Sequence, residues 1–188
     1  MDEKTISIKE TMMNKPILPA IISVLLLVNL GQSSNSGVSS HFDHLQKEVR
    51  HELVTLPYLG VFDNLAYRVK GSNVTLTGQV TRPTLKSDAE NAVKSIEGVE
   101  RVHNQIEVLP VSPFDNTLRL RLYRAIYGYS QLQKYALGVT KPIRIIVKKG
   151  HVTLEGVVDN EVDKDIAGIQ ANGVADVFSV KNSLQVAK

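Results

Sequence analysis

The chain has 188 residues, with 22 lysine and arginine residues, 19 aspartate and glutamate residues and no cysteine. This length allows one ordinary domain or two small ones, and a hydrophobic fraction of 43% is enough for buried cores. The lack of cysteine in the sequence excludes disulfide scaffolds, thiolate zinc sites and cysteine nucleophiles. A net charge of +3 does not by itself indicate a nucleic-acid ligand, so the placement of the charges matters more.

The first forty residues have the pattern of an export leader. Lys15 precedes an apolar run over residues 17–28, and small polar residues follow over 31–37. A positive flank, about a dozen apolar residues and then small residues form the layout of a secretory signal peptide. The run is shorter than the roughly 20 residues of a membrane-spanning helix. We therefore predict a signal peptide and flexible lead-in over residues 1–40 and a periplasmic protein. An uncleaved inner-membrane anchor is the alternative.

The rest of the chain contains two copies of one unit. Val69 recurs as Val147 and Val80 as Val158, an offset of 78 residues, and seven positions are identical within that window. The same offset continues without a gap to the last apolar residues of each copy. Such self-similarity predicts a tandem duplication. The predicted domains are residues 41–109 and 114–188, joined by a short linker at 110–113.

The hydrophobic periodicity changes in the same order in both copies. Apolar residues at a spacing of four come first, then two alternating segments around a turn, then a second helical pattern and a last alternating segment. This order predicts helix, strand, strand, helix, strand. Three strands with one apolar face need a cover, which two helices can supply. The predicted fold class is α+β, with two tandem small modules, each a three-stranded mixed sheet covered by two helices.

Two residue types recur at inward-facing strand positions. Gly78 and Gly156 lack a side chain there, which would let a helix or an aromatic ring approach the sheet closely. Asn104 and Asn182 also have inward parity, and a polar side chain in that place needs a partner. We predict that all four residues are structural and that the asparagines bond to nearby backbone.

The Val-Thr-Leu-x-Gly hairpin core, the alanine-bearing second helix and the Gly-Val-x-x-Val-x-Asn ending resemble the BON family (bacterial OsmY and nodulation). The likeness covers about residues 42–186. It implies a small exported α+β module without enzyme activity that binds phospholipid surfaces or proteins, linked to envelope integrity or osmotic stress. The chain departs from the family pattern at Asp176, which stands where the first copy has Gly98. About six extra residues around 129–141 form a second departure.

Basic charge is concentrated in the first half of the second copy. Eight lysine and arginine residues, and no acidic ones, lie between Asp115 and Glu155, with four of the six tyrosines among them. Anionic headgroups attract such cations by about 1 kcal/mol each, and tyrosine rings favour the membrane interface. We predict binding to an anionic phospholipid membrane surface, with envelope proteins as further partners. The predicted site residues are Arg119, Arg121, Tyr123, Arg124, Tyr127 and Lys134. Alternatively, the arginines form a solvated face and tyrosines pack between the domains.

Other functional classes lack a complete motif in the sequence. His41, His44 and His51 lie close together without a carboxylate pattern that would complete a metal site. Acidic residues alternate over 159–165 like a calcium loop, but Lys164 stands where that loop needs glycine. No nucleophile elbow, phosphate loop or Gly-x-x-Gly nucleic-acid clamp occurs. We predict no enzyme activity, metal, cofactor or nucleic-acid partner. The rival prediction is a soluble periplasmic stress chaperone or protein-interaction adaptor.

Overall fold

A computed structural model of the chain describes residues 36–138 and 140–187, with side chains from His44 onward. Most of the predicted leader therefore lies outside the described residues, and residues 36–40 already belong to the first helix. None of the described helices has both the length and the apolar character to cross a membrane. The helices are α1 (Ser36–Val54), α2 (Pro83–Lys94), α3 (Pro113–Tyr127), a 3-10 helix (Ser130–Ala136) and α4 (Glu161–Asn172).

Each module contains one mixed sheet. The first module has β1 (Asn64–Lys70), β2 (Asn73–Val80), β3 (Arg101–Asn104) and β4 (Glu107–Val108). The second has β5 (Ile143–Lys148), β6 (His151–Val158), β7 (Ser179–Asn182) and β8 (Gln185–Val186). In both, the first two strands form an antiparallel hairpin, and the last two segments run parallel to its second strand. The α+β prediction is confirmed, with the third strand of each sheet divided into two short pieces.

The two helices of each module cover one face of its sheet. Leu45, Val49 and Leu53 on α1 are buried against β2 and α2, as the spacing of four predicts. Their counterparts on α3 are Leu118 and Leu122, followed by Ile126, and these contribute to a separate cluster with β5, β6 and α4. The duplication therefore builds two cores, one for each copy of the sequence.

A loop of the first module joins the two modules. It precedes β1, and Val61 and Phe62 pack against the core of the second module. The backbone N–H of Ile145 donates to the carbonyl of Val61 at 2.9 Å, and the Arg144 guanidinium donates to the carbonyl of Gly60 at 2.8 Å. Residues 35–188 accordingly form one compact unit.

The recurring glycines have a backbone conformation that residues with side chains rarely adopt. Gly78 has φ +118° and Gly156 has φ +122°. A Cβ atom would lie 2.0 Å from the carbonyl oxygen of Asn64 at Gly78, and 1.9 Å from that of Pro142 at Gly156. The close neighbour is thus the backbone at the start of the adjacent strand. The expectation that a helix or an aromatic ring would approach these glycines is wrong.

Replacing Gly156 with alanine should therefore destabilise the fold far more than replacing a turn glycine. Gly71 also has a positive φ, of +63°, but nothing lies within 4 Å of its added Cβ. We expect Gly156→Ala to lower the free energy of unfolding by at least about 2 kcal/mol and Gly71→Ala by about 1 kcal/mol. Urea unfolding of both variants measures the difference. Equal losses would contradict the close approach.

Candidate functional site

The predicted lipid site lies on α3 and the 3-10 helix that follows it. Ser112 caps α3 by accepting a hydrogen bond from the Asp115 N–H at 3.1 Å, and Pro113 occupies the first turn. The buried Asp115 carboxylate accepts from the N–H groups of Lys149 and Gly150, both at 2.9 Å. The start of α3 is thereby fixed to the β5–β6 turn, which orients the whole helix.

Arg119 does not face solvent. Only 4% of its surface is exposed, and its guanidinium donates to the carbonyl of Val147 at 2.7 Å and to the Asn116 amide oxygen at 2.6 Å. Burial lowers the pKa of Arg119, while the charges of Asp115 and Asp63 act in the opposite direction. The prediction that Arg119 binds lipid is corrected, because its buried guanidinium bonds to the backbone at the outer edge of β5.

Two of the predicted tyrosines lie at the junction of the modules. Tyr127 is 4% exposed, and its hydroxyl donates to the Ile143 carbonyl at 2.6 Å and accepts from the Ile143 N–H at 3.2 Å. Burial raises the pKa of Tyr127 well above its ordinary value of 10.0. The half-buried Tyr123 ring lies 5.0 Å from the Tyr127 ring and 6.4 Å from that of Phe62. Tyr127 is therefore withdrawn from the lipid site, and Tyr123 mainly packs between the modules.

Lys134 is held by two carboxylates. Its ammonium lies 2.7 Å from an oxygen of Asp159 and 2.7 Å from one of Asp163, and these bonds raise the pKa of Lys134. Asp163 is only 1% exposed and also accepts from the Tyr135 hydroxyl at 2.6 Å and the Gln131 amide at 3.2 Å. Burial raises the pKa of Asp163, but these donors outweigh it and leave the pKa below its ordinary 3.8. The network fastens the 3-10 helix to α4, so Lys134 is corrected from a lipid ligand to a structural cation.

Arg121 and Arg124 are exposed predicted cations, whereas Lys134 is exposed as well but is held by the buried Asp163. Arg121 forms an ion pair of 2.6 Å with Asp176, in which both side chains are about half exposed. Arg124 forms no ion pair with any residue that the structure describes. These two side chains supply the positive charge that is available to a ligand on α3.

Sequence reasoning missed the apolar side chains beside these arginines. Phe178 is 68% exposed, and its ring stacks on that of Phe114 with 6.0 Å between centroids. Leu120 is also exposed and lies one helical turn from Arg124. Helical spacing could have placed Phe114 and Leu120 on the outer side of α3, whereas Phe178 comes from the loop before β7. We call these residues the α3 surface: Phe114, Leu120, Arg121, Arg124 and Phe178.

The recurring asparagines join the last strand to the second helix in each module. The Asn104 amide donates to the Lys86 carbonyl at 2.8 Å, and its oxygen accepts from the Ile106 N–H at 3.1 Å. The Asn182 amide donates to the Lys164 carbonyl at 2.7 Å, and its oxygen accepts from the Leu184 N–H at 3.2 Å. Both asparagines stand at the break between the two short strands, where the chain leaves the ladder.

No cluster of three or more histidine, aspartate or glutamate residues suited to a metal ion occurs within residues 44–138 and 140–187. The His44 ring lies 3.8 Å from the Glu48 carboxylate on the exposed side of α1. The alternating acidic residues around 159–165 mark the start of α4, where the Asn160 side chain accepts from the Asp163 N–H at 2.8 Å.

The sequence profile of the BON domain matches residues 43–110 and 130–188. The chain belongs to the BON family. Two structures of CdsD, a structural protein of the type III secretion system of Chlamydia trachomatis, are also similar, at 13% and 14% identity. The matches cover 77% of this chain and 98% and 94% of the CdsD chains, each with a TM-score of 0.28. No curated protein matches the chain significantly.

BON domains are generally non-catalytic binding modules, and the family is associated with membrane phospholipid and the cell envelope. In this BON protein, α3 lies between the two matched segments, although it packs into the core of the second module. The α3 surface is therefore composed mostly of residues that the family profile does not match.

The buried Asp163 network should make stability depend on acidity. Because the pKa of Asp163 is lowered in the folded state, its contribution is complete above about pH 4 and is lost as the pH falls through the folded value. We expect Asp163→Asn to reduce stability by about 1–3 kcal/mol at pH 7, and this difference to shrink by pH 3. Thermal unfolding at several pH values measures it, with the exposed Asp165→Asn as control. A pH-independent difference would contradict the assignment.

Proposed function

We propose that this BON protein binds anionic phospholipid surfaces of the cell envelope through the α3 surface. The proposal depends on one observation: an exposed pair of aromatic rings and an exposed leucine stand beside two exposed arginines on one side of the second module. Apolar side chains next to cations are the composition that an interfacial membrane site requires.

The apolar part of the α3 surface provides contact with the bilayer interface. Complete burial of a phenylalanine or leucine side chain contributes about 1.5–3 kcal/mol relative to full exposure. Phe114, Leu120 and Phe178 are about half exposed or more, so each retains a substantial part of that free energy for a ligand. The Phe114–Phe178 stack joins α3 to the loop before β7, which presents both rings together.

The cationic part of the α3 surface can exchange its present partner for a lipid phosphate. An exposed ion pair such as Arg121–Asp176 contributes only about 0–1 kcal/mol, so replacing Asp176 by a phosphate costs little. Arg124 adds a second cation on the same helix. Attraction of about 1 kcal/mol for each cation predicts weak, reversible and salt-sensitive binding.

This site is smaller than the one predicted from sequence, since it omits Arg119, Tyr127 and Lys134 and adds three apolar residues. The predicted export leader would bring the α3 surface to envelope membranes. The rival function, a periplasmic stress chaperone or adaptor, requires apolar surface but no cations.

Reversing the two arginines should abolish most of the membrane affinity. For Arg121→Glu/Arg124→Glu, we expect at least a tenfold loss of binding to vesicles that contain phosphatidylglycerol, measured by co-sedimentation at low salt. The matched control is Arg68→Glu/Arg101→Glu, which changes two exposed arginines of the first module by the same charge. Unchanged vesicle binding would contradict the assignment to the α3 surface, and suppression of client aggregation without any vesicle binding would favour the chaperone function instead.

Removing one aromatic ring should weaken binding even where charge is unchanged. We expect Phe178→Ser to lower vesicle affinity about three- to tenfold, because its exposed ring can no longer enter the interface. Ile169→Ser on α4 is the control, since Ile169 is 66% exposed and Phe178 68%. Vesicle co-sedimentation in high salt, where the contribution of the arginines is screened, isolates the apolar contribution. Equal losses of vesicle affinity in both variants would contradict the assignment to the α3 surface.

A further inference from the structure

The duplication creates two outer strand edges, and they are not treated alike. In each module, the first strand of the sheet has one neighbour and lies beside the first helix. Side chains and a segment of the first module bond to the edge of β5, while no described residue bonds to the corresponding edge of β1. A row of unpaired backbone N–H and C=O groups is a template for pairing with another chain.

Three groups cover the β5 edge. In an antiparallel pair, alternate residues direct their backbone groups away from the partner strand, and in β5 these are Ile143, Ile145 and Val147. The Tyr127 hydroxyl bonds to both backbone groups of Ile143, and the Val61 carbonyl accepts from the Ile145 N–H. The remaining contact is the Arg119 guanidinium on the Val147 carbonyl. A tyrosine, an arginine and a segment of the other module thus bond to four outward backbone groups of β5.

The corresponding edge of β1 lacks all three groups. Its outward-facing residues are Leu65, Tyr67 and Val69, the counterparts of the β5 residues at the offset of 78. Leu45 of α1 corresponds to Leu118 of α3, an offset of 73 residues. At this offset, Val54 is the counterpart of Tyr127. At the same offset, Gln46 stands where α3 has Arg119. Within the described part of the chain, no hydrogen bond reaches the outward backbone groups of β1.

A cavity of about 310 Å³ lies between α1 and this open edge. Its apolar lining includes Leu53 and Leu65, and its charged lining includes Arg50 and, from the second module, Arg144. The nearby Asp63 carboxylate is already occupied, because it accepts from Gly60 N at 2.9 Å and from the Thr81 N–H and hydroxyl at 2.6 and 2.8 Å. The cavity therefore offers apolar contact and a lining in which two guanidinium groups outnumber one carboxylate, so that its net positive charge would complement an acidic ligand.

We infer that β1 and this cavity bind an extended peptide segment of a partner protein, which adds a strand to the open edge. The filled copy shows the chemistry of the occupant, since the segment there has the sequence Leu-Gly-Val-Phe-Asp over residues 59–63 and pairs through the Val61 carbonyl. In the first module, the Tyr67 N–H takes the place of the Ile145 N–H. This interaction is independent of the lipid proposal, because it uses none of the residues of the α3 surface.

Among the positions that differ between the two grooves, one would select the charge of the peptide. In the filled groove, Phe62 contacts the ring of Tyr123. The counterpart of Tyr123 on α1 is Arg50, at the offset of 73. A carboxylate at the position of Phe62 would pair with this arginine, so the partner segment is an apolar strand with an acidic residue. Pairing through the main chain supplies affinity, and this position supplies specificity.

A labelled peptide tests the inference directly. The probe has the sequence of residues 58–64 with Phe62→Glu, and fluorescence anisotropy with the full chain measures its affinity. Tyr67→Pro should weaken binding at least tenfold, because it removes the outward N–H that would donate to the peptide but no bond of the β1–β2 ladder. Tyr67→Ala is the matched control and should bind more tightly than Tyr67→Pro, since it loses the same side chain but keeps the N–H. Hydrogen exchange should also show protection of the Tyr67 amide when the probe binds.

A second variant keeps the test decisive if Tyr67→Pro does not fold. Arg50→Glu changes an exposed residue and should reverse the preference, so that a peptide with Phe62→Lys binds more tightly than the probe with Phe62→Glu. Absence of probe binding to the native chain would overturn the inference, as would equal binding to Tyr67→Pro and Tyr67→Ala. If sedimentation instead shows dimers that Tyr67→Pro dissociates, the occupant is a second copy and the partner-peptide proposal is wrong.

Discussion

The structure depends on satisfying the backbone groups along the outer edge of β5. A buried N–H or C=O group without a partner costs about 1–3 kcal/mol, so an uncovered edge within the molecule would offset much of the stability of a small module. Tyr127, Arg119 and the Val61 carbonyl provide the partners. Because Val61 belongs to the first module, the same bonds that complete the second sheet also join the two modules. They further fix the side of α3 that faces the protein, and hence the side that faces solvent.

Much of the fold could be predicted from the sequence because it depends on local periodicity and on the repeat. Leu118 and Leu122 are buried as their spacing indicates, and the hairpins lie where the residues alternate. The departure at Asp176 is also understandable, since its φ of +71° is close to the +89° of Gly98, and aspartate tolerates this conformation better than most residues. The division of the third strand was not predictable, because it accompanies the bonds of the Asn104 side chain to the Lys86 carbonyl on α2 and to the Ile106 N–H within the break.

The candidate site was less predictable, because charge density along the chain does not report which side of a helix a residue occupies. Asp115, Arg119 and Leu122 lie on the inner side of α3, whereas Leu120 and Arg124 lie on the outer side. Helical spacing alone could have separated these groups. No local pattern predicted that Lys134 would pair with Asp159 and Asp163 near the start of α4, since these partners are distant in sequence. At Lys134, these long-range ion pairs, and not the orientation of a helix, are what make the predicted cation unavailable to a ligand.

Duplication followed by divergence has left each module with a different exposed surface. The second module has covered its strand edge, so the residues of α3 that remain outside are an apolar and cationic face suited to a lipid surface. The first module has valine and glutamine where the covering tyrosine and arginine stand, and no described residue bonds to the outward backbone groups of its edge, which lies beside a cavity. Two of the three differences between the edges therefore lie on the first helix of each module, and the third is the segment around Val61. Under the two proposals, one module would contact a membrane while the other holds a polypeptide near it.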